Sequence, residues 1–79
     1  MDSDLEARLR RVFEIIFNRS DIDLRDDLTA RDVPGWDSFN HINLVIQVEQ
    51  EFGIRFSDSE VSSLRDVGQL KQLIARKAF

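Results

Sequence analysis

The stretch from Phe39 to Phe52 carries apolar side chains at positions 39, 42, 44, 45, 46, 48 and 52. Their intervals of three and four, sustained from one end of the stretch to the other, fit the turns of a helix. On such a helix Leu44, Val45, Val48 and Phe52 share a core-facing side, while Phe39, Ile42 and Ile46 form a second row offset from it. No strand-like alternation competes elsewhere in the chain, so the fold it can reach is a set of helices around one shared core.

That core has to suffice by itself. The chain has 79 residues and no cysteine, so it is one domain without disulfides or thiolate metal ligands, near the lower size limit for a self-supporting core. A composition of 42% hydrophobic and 33% charged residues fits a globular chain rather than a disordered one. The net charge of −4 disfavours nucleic acid and favours basic protein surfaces. No apolar run approaches the ~20 residues of a membrane span, and the start Met1-Asp2-Ser3-Asp4 lacks the basic and apolar regions of a signal peptide. The expected location is the cytoplasm.

Leu5, Leu9, Val12, Phe13, Ile16 and Phe17 recur at helical spacing and predict a first helix, with Ser3 and Glu6 as a capping box. From Asn18 to Trp36 the periodicity dissolves into a long loop, expected to be ordered and pinned to the core by Ile22, Leu24, Leu28 and Val33. Pro34-Gly35 stops the loop, and Asp37 is placed to cap the helix that follows. Gly53 is the expected C-terminal stop of that helix. Ser57-Asp58-Ser59-Glu60 predicts a capped short helix carrying Val61 and Leu64. Asp66 with Gln69 predicts the cap of a last helix whose apolar positions are Val67, Leu70, Leu73 and Ile74, with Gly68 as a cost of ~1 kcal/mol against alanine. The fold class is all-α: a small four-helix bundle with three principal helices, one short one, and a long loop between the first two.

The chemistry-bearing residue is Ser38, in Gly35-Trp36-Asp37-Ser38-Phe39. Its hydroxyl is expected to face solvent beside a helix N-terminus, where an anion is tolerated, and to lack a neighbouring side-chain base. Such a serine is suited to be modified by another enzyme rather than to catalyse. Asp-Ser alone is uninformative, because a cap followed by a first-turn serine gives the same pair. Its spacing to Glu49-Gln50-Glu51-Phe52-Gly53-Ile54, together with the order helix, long loop, Asp-Ser-Phe, short helix, last helix, covers nearly the whole chain. In these features the chain resembles the acyl carrier protein family, which includes peptidyl and other phosphopantetheine-dependent carriers. The resemblance implies a non-catalytic carrier that receives 4′-phosphopantetheine from coenzyme A on Ser38 and holds acyl or aminoacyl groups as thioesters. It further implies a phosphopantetheinyl transferase and a loading ligase, synthase or acyltransferase as partners, recognised through Asp37, Phe39, Ile42, Ile46 and Glu49. The chain is expected to act as a monomer.

Departures from the family pattern are informative. Phe39 stands where leucine is commoner, and Trp36 where fatty-acid-type carriers have a small residue. Asn40, His41, Asn43, Gln47 and Gln50 occupy positions read as outward, so Glu49 and Glu51 are the main charges of the second helix. The expected pathway is therefore a specialised one (polyketide, peptide or surface glycan), with a housekeeping fatty-acid carrier as the alternative and a helical interaction module without a prosthetic group as the alternative of another class. A Ser38–His41 hydrolase lacks an announced oxyanion site, and His41 is expected to be an exposed helical histidine. Asp21, Asp23, Asp26 and Asp27 fail the glycine and ligand spacing of a calcium loop. The arginines of the first helix are too few for nucleic-acid binding.

Overall fold

The computed structural model describes residues 2–19 and 21–78, with side chains from residue 4 onward. Four helices follow in order: α1 (Asp2–Phe17), α2 (Ser38–Phe52), α3 (Asp58–Ser63) and α4 (Val67–Ala78), with no strand among the described residues. α1 contributes Leu5, Leu9, Val12 and Phe13 to one apolar cluster, α2 contributes Leu44 and Val48, and α4 contributes Val67, Leu70 and Ile74. The helix α1 starts at Asp2, ahead of where a cap at Ser3 would begin it, and the side chain of Ser3 lies outside the described residues.

The long loop completes the cluster as expected, with Ile22, Leu24, Leu28 and Val33 all buried. Its backbone is held by neighbouring helices. The amides of Val67 and Gly68, in the first turn of α4, have no intrahelical acceptor and donate instead to Leu28 O at 3.0 Å and Asp26 O at 2.8 Å. Lys71 Nζ donates to Leu24 O at 2.9 Å and pairs with Glu6 and Asp26. Burial works against that ammonium's charge, but the two carboxylates more than offset it and raise its pKa. Arg10 Nη1 reaches Ile22 O from α1 at 3.2 Å.

Gly68, read from sequence as a helix cost, also meets the loop closely. A Cβ there would lie 3.0 Å from both Asp26 Cβ and Asp26 O, so a side chain would require the loop to give by a few tenths of an ångström. The remaining differences fall at helix margins. Phe52 and Ile16, read as core, are only half-buried; Phe52 ends α2 at the edge of the cluster, with the Arg8 guanidinium 4.5 Å from its ring centre. Leu73 is half-exposed, and α3 has no buried residue. The Ser57–Glu60 capping box forms as read. At α4, Asp66 Oδ1 accepts the Gln69 amide, while Gln69 Oε1 accepts the amide of Arg65 rather than that of Asp66.

Candidate functional site

The loop enters α2 through a tight turn. Trp36 N donates to Val33 O at 3.1 Å, and Gly35 between them has φ of 91°. A side chain there would meet only Phe17 Cδ1 at 3.9 Å, so it is the left-handed backbone, not crowding, that calls for glycine. Asp37 follows as the N-cap. Its Oδ1 accepts the Asn40 amide at 2.9 Å and its carbonyl the His41 amide at 2.8 Å, while Asn40 Nδ2 donates back to Gly35 O at 2.7 Å. Turn and helix start are thus locked to each other, and Ser38 is the first helical residue, exposed. Among the described residues neither its hydroxyl nor its amide, nor the amide of Phe39, has a hydrogen-bond partner.

Trp36 turns inward from the same junction. Its ring meets Phe13 edge-on, with centroids 5.5 Å apart at 82°, and lies 5.9 Å from Phe17. Its Nε1–H donates to His41 Nδ1 at 3.1 Å, and His41 Nε2 lies 3.3 Å from Val61 O. The tautomer that satisfies both contacts carries its hydrogen on Nε2 and donates it to Val61. His41 is therefore a half-buried bridge from the turn to α3, not the exposed helical histidine expected from sequence. Both ring nitrogens are committed away from Ser38, so the imidazole is not positioned as a base for that hydroxyl. Trp36 and His41 stand five residues apart across a cap, a spacing that belongs to no single periodic element, and nothing in the sequence points to Val61 as the acceptor.

Between α2 and α3 runs an open, mainly apolar groove of about 580 Å³. Ser38 lies on its rim with Asp37; Trp36, His41, Ile42, Val61 and Leu64 line it. Along α2, Phe39, Ile42 and Ile46 are 74%, 51% and 46% exposed, an apolar row as the sequence pattern indicated, of which Ile42 also lines the groove. Glu49 lies at the far end of that row, half-buried, where its Oε2 accepts the Phe56 amide at 2.9 Å. Glu51 accepts Arg8 Nε, also at 2.9 Å. Among the described residues no helix is long and apolar enough to cross a membrane, and no cluster of His, Cys, Asp or Glu is placed to hold a metal ion.

No family model matches the chain. Acyl carrier protein 2 of Pseudomonas aeruginosa is 30% identical over 66 residues, which are 84% of this chain and 84% of that protein. Among solved structures, the holo acyl carrier protein of Geobacter metallireducens superposes with a TM-score of 0.85 at 34% identity, over 92% of this chain and 83% of that one. The acyl carrier protein of Thermotoga maritima superposes with a TM-score of 0.81 at 26% identity, over 96% and 88%. With its four helices, its Asp-Ser junction at the start of α2 and this similarity across most of its length, the chain belongs to the acyl carrier protein family.

Proposed function

We propose that the chain carries acyl or aminoacyl groups on a 4′-phosphopantetheine arm attached to Ser38. The observation that carries this reading is the exposed Ser38 hydroxyl at the first residue of α2, on the rim of an apolar groove. The residues present fit the group. The free amides of Ser38 and Phe39 and the positive end of α2 suit a phosphodiester, and Trp36, Ile42, Val61 and Leu64 offer apolar surface beside it. When bound, the arm supplies a terminal thiol that holds cargo as a thioester.

The chain's own residues position and shelter. Asp37 fixes the start of α2, and Gly35 sets the turn that presents Ser38 outward. With His41 engaged by Trp36 and Val61, the base that deprotonates Ser38 belongs to the phosphopantetheinyl transferase, and catalysis on the cargo to the loading ligase, synthase or acyltransferase. The exposed row Phe39, Ile42 and Ile46 offers these enzymes an apolar docking surface. Trp36 and the lack of a free acidic row on α2 favour a specialised pathway over housekeeping fatty-acid synthesis.

Intact-mass measurement after incubation with coenzyme A and a broad-specificity transferase tests the assignment. The wild-type chain is expected to gain one phosphopantetheine, and Ser38→Ala to gain none while melting within about 0.5 kcal/mol of the parent, as exposed substitutions do. A Ser38→Ala protein that still takes up the mass refutes the site. A wild-type chain that takes up none leaves the interaction-module reading standing.

A further inference from the structure

Two spaces lie on opposite sides of the Trp36–His41 pair. Outside is the open groove of about 580 Å³ that begins at Ser38. Toward the core, lined by Leu44, Val45, Asp66 and Leu70 together with the same Trp36, His41 and Leu64, is a narrow, partly open void of about 10 Å³. A void that size is at the limit of what holds one water molecule, so the space behind the Trp36–His41 pair is too small for an alkyl chain. The wall between the two spaces consists of the residues they share: Trp36, His41 and Leu64.

This wall is anchored on both flanks. Trp36 is wedged against Phe13 and Phe17 of α1. His41 ties the indole to the carbonyl of Val61, and so ties the turn before α2 to α3. Opening a way inward would break a half-buried N–H···N bond and leave its donor without an acceptor, a larger loss than the bond's own net contribution. It would also separate an edge-to-face aromatic pair. Side chains that merely fill space can rotate aside; a ring fixed at its nitrogen and along its edge has no such freedom.

We propose that Trp36 and His41 form a fixed floor that keeps cargo in the surface groove between α2 and α3 and out of the bundle, so that this carrier is built for short acyl or aminoacyl groups and leaves a longer alkyl chain exposed. The inference rests on Ser38 being the attachment point. The groove takes the arm and the first few atoms of its cargo against Trp36, Val61 and Leu64; beyond them an alkyl chain meets solvent. Trp36 is then the residue that sets the length of cargo the protein shelters.

The test starts from acetyl-, butyryl- and octanoyl-coenzyme A, each transferred to the apo chain by the broad-specificity transferase and verified by intact mass. Hydroxylamine cleavage of the thioester then reports how much of the cargo is exposed, since its rate follows the exposed population. For the wild-type chain the three rates are expected to agree within about twofold, with one common melting temperature, because no population holds the longer chain inside. Leu64→Ala, and independently Trp36→Val, is expected to slow octanoyl cleavage about fivefold or more relative to acetyl by opening the interior. Should neither variant fold, the wild-type series decides by itself. A wild-type octanoyl form that is protected and melts higher than the acetyl form overturns the floor while leaving the carrier reading intact. Failure to load any acyl group overturns both.

Discussion

Gly68→Ala offers the most exacting check on how the site is supported. In an exposed helix interior, alanine for glycine gains about 1 kcal/mol. Here the new methyl would lie 3.0 Å from Asp26 Cβ, 3.0 Å from Asp26 O and 3.4 Å from Asp26 Cα, against a favourable carbon–carbon separation of about 3.5–4.0 Å. Relief needs the loop to withdraw by several tenths of an ångström. The loop is not free to do so: Asp26 O accepts the Gly68 amide, Leu28 O the Val67 amide, and the Asp26 carboxylate pairs with Lys71 at 3.2 Å. Overpacking of this kind costs about 1–3 kcal/mol. Set against the helix gain, the net expectation is a destabilisation of about 1 kcal/mol.

In a domain this small such a loss lowers the melting temperature by about 4–8 °C. Urea and thermal denaturation of the two proteins measure it, with an unchanged urea m-value showing that the effect lies in stability and not in the extent of unfolding. A Gly68→Ala protein that is more stable by about 1 kcal/mol would refute the reasoning. It would mean that the loop yields freely and that glycine has no packing role at this position.

Three further outcomes follow from burial, charge and exposure. Phe13→Ala, at a fully buried ring, is expected to cost about 3–5 kcal/mol, and Phe52→Ala, at the half-buried helix end, about 1–2 kcal/mol, as read from urea melts. Glu60 is held below the ordinary glutamate range by the Ser57 amide and then by Lys77; its folded pKa is depressed, so its contribution is present above the ordinary glutamate value and lost as pH falls through the lowered one. The stability difference between wild type and Glu60→Gln should therefore shrink on acidification, and a difference that grows would reverse the assignment. Ile46→Ala is expected to slow cargo transfer by the partner enzyme more than Glu49→Gln, with only a modest effect of raising salt to physiological strength; a steep salt dependence would return recognition to the acids.

Much of the fold was legible because its signals are local. Helical spacing marked Leu5, Leu9, Val12 and Phe13, and the buried loop anchors Ile22, Leu24, Leu28 and Val33 stood out as isolated apolar residues in a polar stretch. Caps announced themselves at Asp37 and Ser57 because each acts within three residues. What stayed hidden depends on partners distant in sequence. Gly68 looked like a helix weakness because Asp26, the residue it makes room for, is 42 positions away. His41 looked exposed because helical phase places it beside polar neighbours, and only the fold brings Trp36 and Val61 to its two nitrogens. Phe52 looked central because periodicity gives a direction but not the depth at which a helix ends.

The same limit applies to charge on α2, where sequence supplies the residues and structure decides what they are free to do. Glu49 and Glu51 read as two acids left on a docking helix. In the fold Glu49 accepts the amide of Phe56 and so fixes the connection into α3, while Glu51 holds Arg8 of α1. Both carboxylates are half-buried and turned to internal partners. Asp37, at the helix start, has one oxygen committed to Asn40. An approaching basic surface would find few unengaged acids along α2 to steer it, whereas Phe39, Ile42 and Ile46 stand exposed in a row. Apolar contact acts only over touching distance and is indifferent to ionic strength in this range, so selection among partners would rest on shape at that row more than on long-range attraction. Ile42 belongs both to the row and to the wall of the groove that starts at Ser38, so the surface a partner would touch and the surface proposed to shelter the cargo meet at one side chain.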